Sequence, residues 1–250
     1  MREGTVAPAI PLRIFGAGMR ARVVADLLGW EFSGVYRLDG YYDDGRPADE
    51  TGPGGAPILG SVEDGCRALA GSDVHAFIAL GTYRSWRACE VVAELRRAAV
   101  PIARLVSPSA HVSPTAVIGD GALVMGGVFI GAEAVIGDLF TAHGGVTVEH
   151  HGVIGHNVLL APGVSLCGCA RIADHCFLGA GTSVIPEVRI GEGTMTGAGS
   201  VVVRDLPAGV VALGNPCRPL RPVGQGDEVP TPDVVARLRA MLPPSFSAGS

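Results

Sequence analysis

The sequence predicts a small α/β unit followed by a stack of equivalent short coils. Three observations lead there. From Val106 onward an aliphatic residue recurs every six positions without an insertion, and over residues 12–105 strand-like and helix-like segments alternate. Glycine is also abundant and bulk scarce: of 250 residues, 37 are Gly, with only 7 Phe, 4 Tyr and 2 Trp. Hydrophobic residues at 48% and charged residues at 17% supply a core and argue against a disordered chain.

After a head at residues 1–11, Leu12 to Phe15 forms a short apolar strand. Gly16-Ala17-Gly18 then makes a turn, and Arg20 to Leu28 a helix with Val23, Val24, Leu27 and Leu28 at helical spacing. A second strand ends at Tyr41 and Tyr42, just before Asp43 and Asp44, and Gly45 to Pro57 is loop, rich in Gly and Pro. Helix signals return at Val62 to Ala70 and Ser85 to Arg97, and strand signals at Ala76 to Leu80 and Ile102 to Val106. That alternation describes a small parallel sheet flanked by helices.

Gly16-Ala17-Gly18-Met19-Arg20-Ala21 fits the G-x-G-x-x-A fingerprint, whose glycines let a backbone approach a phosphate at a helix N-terminus. The same turn also joins strand to helix with no ligand present. Four strands in about ninety residues make a Rossmann-like half-domain, so a mononucleotide fits better than a dinucleotide. Asp43 and Asp44, at the carboxyl end of the second strand, stand where such sheets make ribose or base contacts; a solvated turn is the alternative.

Stepping by six from Val106 to Val202 gives 17 hexads, 15 of them led by an aliphatic residue. The fifth residue is small or Val in 15 of the 17, with Phe140 and Leu206 the exceptions. A fixed period of this length means stacked coils, each burying its aliphatic row against the next. Beyond it, Pro222 to Thr231 reads as linker and Pro232 to Leu242 as a short helix.

Composition excludes several chemistries. All 19 basic residues are arginine, so no lysine can form a Schiff base or serve a P-loop. A net charge of −5 without a basic run argues against nucleic acid as partner. No apolar run is long enough for a membrane span and Met1 to Pro11 lacks a signal-peptide core, so a cytoplasmic protein with its six cysteines as thiols is expected.

The segment Thr147 to Gly155 holds the strongest chemical signal. Its adjacent His150 and His151 serve no packing purpose in a repeat of aliphatic and tiny residues. Acyl transfer from a thioester to an amine or hydroxyl needs a base with a pKa near 7, which imidazole supplies. Gly168, three hexads beyond His150, has no side chain to keep its backbone N–H from a developing oxyanion.

Hexads such as Ile118-Gly-Asp-Gly-Ala122, Ile154-Gly-His-Asn-Val158 and Ile190-Gly-Glu-Gly-Thr194 resemble those of the hexapeptide-repeat acyltransferases. That resemblance implies a left-handed parallel β-helix of triangular section, three hexads per coil and nearly six coils, assembled as a homotrimer. Further features extend it over residues 12–220: Gly16-Ala-Gly18 before Arg22-Val-Val-Ala-Asp26, Tyr42-Asp-Asp44, Ile78-Ala-Leu-Gly81, Val106-Ser-Pro-Ser-Ala110, Glu149-His150, Cys176-Phe-Leu-Gly179 and Gly214-Asn-Pro216. Together they are similar to bacterial nucleotide-sugar acetyltransferases of the sialic acid O-acetyltransferase and bacillosamine-pathway N-acetyltransferase type.

The resemblance implies an acetyl-CoA-dependent enzyme that acylates the nitrogen of a nucleotide-linked amino sugar, or, as the alternative, a sugar oxygen. His150 would be the base. Gly16, Gly18, Arg20, Asp43, Asp44 and Gly81 would contact the nucleotide sugar. Gly168, Gly179, Ala180, Gly197, Ala198 and Arg218 would line the acetyl-CoA path between subunits. Three positions depart from the family pattern: Gly18-Met19-Arg20 replaces Gly-Gly-His, His151 stands where an acidic residue follows the base, and Leu159 replaces a second histidine.

The remaining histidines carry less weight. His143 and His151 are close enough in sequence to join His150, most array histidines including His156 and His175 are expected to face solvent, and His75 and His111 are structural or surface residues. A zinc site of the carbonic-anhydrase-like β-helix type is the rival reading, but His151 and His156 hold different hexad positions and Thr115 stands two coils before His151. A non-catalytic nucleotide-binding scaffold is the third. No metal is expected.

Overall fold

The computed structural model describes residues 8–81 and 86–224. The expected C-terminal helix at Pro232–Leu242 lies outside the described residues, as do Ser85 and the first seven residues of the head.

Strand β1 (Ile10–Phe15) leads into helix α1 (Met19–Trp30), then β2 (Tyr36–Tyr42), β3 (Ile58–Gly60), α2 (Val62–Leu69), β4 (His75–Ile78) and α3 (Trp86–Arg97). The sheet is parallel in the order β3-β2-β1-β4. Because β1 has β2 on one side and β4 on the other, the chain order reverses beside it, and the crevice at its carboxyl end is where such sheets take ligands. α1 buries Ala21, Val24, Leu27 and Leu28 against the sheet and leaves Val23 exposed, one turn position away from the expected stripe. α2 begins at a capping box in which Ser61 and Asp64 bond each other's backbone amides.

The fourth strand of this sheet is not the one expected. Ile58–Gly60, which follows the expected loop and carries no strand signal of its own, pairs with β2, whereas the Ile102–Val106 segment divides. Ile102 makes a single bridge to Ala76, and Leu105–Val106 pairs with Leu123–Val124 as the first rung of the repeat. Three residues with glycine at one end are too short to show a strand period, and Leu105 is wanted by the core that joins the two parts of the molecule.

From there the chain winds through two-residue strands joined by tight corners, forming three parallel sheets, here called faces. The first carries Leu105–Val106, Leu123–Val124, Thr141–Ala142, Leu159–Leu160, Phe177–Leu178 and Met195–Thr196, the second begins at His111–Val112, and the third at Val117–Ile118. Pairing is eighteen residues apart throughout, as in Thr147 with Phe129 and with Ser165. The hexad leaders point inward and form one continuous core from Val124 to Val202. The period breaks only at the end: Ile190 bridges Leu206 and Met195 pairs with Val211, so the last coil is two residues short, and the hairpin of Val210–Leu213 with Arg218–Pro222 closes the stack.

Several contacts fix the α/β unit on the prism. Leu105 and Leu123 join the core beneath the sheet. On the other side Arg96 of α3 donates to Asp120 and Asp138, which occupy the third corner on successive coils.

Candidate active site

The corners determine which side chains meet, because residues eighteen apart stack at the same corner position. At the corner after the second face, Gly131, Glu149, Cys167 and then Ala132, His150, Gly168 form neighbouring columns, and Thr115, Glu133, His151, Cys169 form the next. His150 is exposed, and its ring lies on Gly168: a Cβ built there would stand 2.6 Å from Cε1 and 2.7 Å from Nε2. The carbonyl of His150 accepts from the Cys169 amide at 3.0 Å. Among the described residues no backbone carbonyl accepts from the Gly168 N–H.

The other side of the imidazole is engaged as well. Nδ1 of His150 lies 3.0 Å from Nδ1 of His151, with the two rings close to perpendicular. Nε2 of His151 lies 3.1 Å from the Glu133 carboxylate. Glu133 was not singled out in the sequence, although stepping back one coil from His151 leads to it.

The corner after the first face is built differently. Its fourth position is glycine on every coil from Gly127 through Gly145, Gly163 and Gly181 to Gly199, all with φ between 68° and 74°. The other two corners place Glu133, Leu139, His151, Asn157, Cys169, His175 and Glu187 in that conformation. Left-handed backbone favours glycine but tolerates these residues elsewhere, so the unbroken run leaves the fourth position of this edge bare of side chains on five successive coils. Gly179, Ala180, Gly197 and Ala198 lie along that edge, whereas Gly168 lies on the His150 corner and Arg218, exposed, in the closing hairpin. One chain therefore does not gather these six residues into one path.

The α/β unit stands over the upper end of the bare edge. Gly16, with φ of 95°, lets β1 turn tightly beside β4: a Cβ there would meet the Ala79 carbonyl at 3.0 Å. Gly18 is the N-cap of α1 with open space beside it, and Gly81 ends the β4 segment with φ of 61°. Asp43 accepts from the Ala17 amide at 2.6 Å and the Gly45 amide at 2.9 Å, while Asp44 accepts from Val62 at 2.9 Å. Both carboxylates thus shape the loops around the crevice.

Arg20 is the group that points to a ligand. It reaches from the first turn of α1 to Thr141 on the first face, donating to Oγ1 at 2.7 Å, with its guanidinium 5.9 Å from the Phe77 ring centre. Its Nε is buried with no partner, no carboxylate pairs with it among the described residues, and burial pushes its pKa down to about 10. A cation held this way lacks a counter-charge that an anion in the crevice would supply. His143, half-buried on the same corner, has its pKa lowered by burial and then by Arg20. His143 thus belongs with the arginine, one face away from His150.

The other histidines are apart from both groups. His156 faces solvent on the third corner, 3.3 Å from Asp138. His175, expected at the surface, is buried instead: Asn157 lies 3.1 Å from its Nδ1 and the Trp86 ring 4.1 Å away, because α3 covers that corner. His75 sits at the opposite end of β4 from the crevice and His111 is exposed. Among the described residues no three His, Cys, Asp or Glu side chains gather as a metal site, and the six cysteines are free. No described helix is long and apolar enough to cross a membrane.

Comparison with known proteins agrees with this division. The family model for the PglD N-terminal domain matches residues 11–88, and that for the bacterial transferase hexapeptide (six repeats) matches residues 169–204. No curated protein sequence matches. Among solved structures, PerB from Caulobacter crescentus, in complex with CoA and GDP-perosamine, is 32% identical with a TM-score of 0.74, covering 84% of this chain and 97% of its own. The chain belongs to the PglD-type hexapeptide acetyltransferases. Another similar structure is the acetyltransferase domain of PglB from Neisseria gonorrhoeae with acetyl coenzyme A, at 29% identity and TM-score 0.74, covering 85% and 100% of the two chains. WeeI from Acinetobacter baumannii is 27% identical with a TM-score of 0.70, over 85% and 100%. In this acetyltransferase, then, the crevice of the PglD-type unit and the His150 corner of the prism are the two places where chemistry can be built.

Proposed function

We propose that the protein transfers the acetyl group of acetyl-CoA to the amine of a nucleotide-linked amino sugar, with His150 as general base. The observation that carries this reading is the His150 corner: an imidazole fixed at Nδ1 by His151 and lying on the side-chain-free Gly168. PerB, solved with CoA and GDP-perosamine, supports an amino sugar carried on a nucleotide as the acceptor. The crevice at Gly16 and Gly18, with Arg20 lacking a counter-charge, suits its diphosphate.

His150 takes the proton of the attacking amine as the carbon–nitrogen bond forms, and the Gly168 N–H faces the oxygen of the tetrahedral intermediate. The imidazolium then returns the proton to the departing thiol sulfur, so the base is regenerated. Separation of the two groups supports a homotrimer of left-handed prisms. Arg20, Thr141 and His143 stand at one corner of a chain and His150 at the next, so a second copy brings a base to the acceptor and acetyl-CoA runs along the bare glycine edge between them.

The test is mass spectrometry of UDP-, dTDP- and GDP-linked amino sugars incubated with acetyl-CoA and the protein, with sedimentation to read the assembly. Acetylation on nitrogen of a nucleotide-linked sugar by a trimer is expected. Transfer only to hydroxyls, equal transfer to sugars lacking a nucleotide, or full activity in a monomer would overturn the corresponding part.

A further inference from the structure

Within the His150 corner one group has no counterpart in the sequence pattern of the family. Where an acidic residue would follow the base, this chain has His151, and the nearest carboxylate is Glu133, one coil earlier at the same corner position. Both residues adopt left-handed backbone with φ of 57°, so both side chains leave the corner in the same direction. The Glu133 amide is itself held by Thr115 Oγ1 at 3.0 Å, from the coil before.

The distances set a proton order. A carboxylate only accepts, so the proton between Glu133 and His151 resides on Nε2 of the histidine, 3.1 Å away. A neutral His151 then has a bare Nδ1. That atom lies 3.0 Å from Nδ1 of His150, and two facing ring nitrogens at this separation share one proton, so His150 must donate. Nδ1 of His150 being protonated, its Nε2 is bare, and Nε2 is the nitrogen over Gly168. Without Glu133, His151 is free to take the other tautomer, donate to His150 and leave a proton on the nitrogen that must act as base.

We propose that Glu133 is a positioning residue that selects, through His151, the tautomer in which Nε2 of His150 is basic. The proposal rests on His150 being the base. During turnover His150 gains a proton at Nε2 and passes its Nδ1 proton to His151, so the positive charge comes to stand beside the Glu133 carboxylate; return of the proton reverses both transfers and no net charge is lost. The other titratable groups at this corner are Glu149, Cys167, Cys169 and Glu187, with Arg204 and Asp205 three coils away, and none of them hydrogen-bonds to either imidazole among the described residues.

The experiment compares the full-length protein with Glu133→Gln, whose amide both donates and accepts and so no longer selects a tautomer. Expected are a kcat lower by about tenfold or more, short of the 10² to 10⁴ carried by a general base, an unchanged KM for acetyl-CoA, a lower apparent pKa in kcat/KM and unchanged thermal unfolding. Long-range ¹H–¹⁵N spectra of histidine-labelled protein read the same point without turnover: His150 protonated on Nδ1 in the wild type, a mixture in the variant. Wild-type kcat in the variant, or His150 protonated on Nε2 in the native protein, overturns the proposal. If His150→Ala itself keeps its activity, it is the assignment of the base that fails.

Discussion

Gly168 supports the imidazole of His150 from one coil below, leaving no room for a methyl group between them. Its backbone is not left-handed, so the cost of a side chain falls on the histidine alone, whose exposed ring can be pushed aside at the expense of its contact with His151. Gly168→Ala is therefore expected to fold with little change in melting temperature and to lose about a hundredfold in kcat through misplacement of the base. Thermal unfolding and steady-state kinetics check it, and a stable variant with full activity would show that the ring position is immaterial.

His150→Ala should lower kcat by about 10² to 10⁴, the usual contribution of a positioned general base, while leaving CoA affinity nearly unchanged. His143→Ala should cost less, since His143 stands beside Arg20 on the preceding corner. The reverse ranking would move the chemistry to the arginine side of the second face.

Arg20→Met tests the crevice. The cation has one neutral partner and a buried, unpartnered Nε, so the free protein is expected to keep or raise its melting temperature when the charge is removed. The same variant should raise KM for the nucleotide-linked sugar and lose the thermal stabilisation that this ligand gives to the wild type. A destabilised variant with native KM would make Arg20 a purely structural bridge to Thr141.

The Arg96 clamp should be visible in the acid limb of the stability curve. Burial alone pushes the Asp138 carboxyl up, but hydrogen bonds from Arg96 and from the Asp120 amide outweigh it and hold it below its usual value. A carboxylate whose pKa is depressed in the folded state stabilises it above the ordinary carboxylate range, and this contribution disappears as pH falls through about 4 and below. Arg96→Met should cost about 1 kcal/mol at neutral pH, modest because the arginine is half exposed. It should also flatten the fall in melting temperature between about pH 5 and pH 3. An acid limb of unchanged steepness would remove Asp138 from the account.

The period of six specified the stack of coils, and the resemblance to the hexapeptide family, with three hexads to a coil, added the eighteen-residue register and the placement of Gly168 one coil beyond His150. Repetition makes such contacts legible, because a residue's neighbour above or below is found by counting. The bare glycine edge could have been found by the same counting, from Gly127 to Gly199. The G-x-G turn and the helix after it were equally plain, since strand, turn and helix signals are local.

Four features were decided only by the folded chain. Which three-residue segment completed the sheet depended on the core under β1 and the prism, which took Leu105 away and left Ile58–Gly60 to pair with β2. His175 was buried because α3, distant in sequence, lies on its corner and stacks Trp86 against it. Arg20 met Thr141 because the α/β unit stands on the first face. The order of hydrogen bonds from Glu133 through His151 to His150 depended on side-chain directions at a corner, and the sequence encodes position along the chain but not the angle at which a ring faces its neighbour. The sequence by itself thus determined what repeats and what is local; the tertiary structure decided which unlike parts touch, because those contacts arise from packing one periodic object against one that is not.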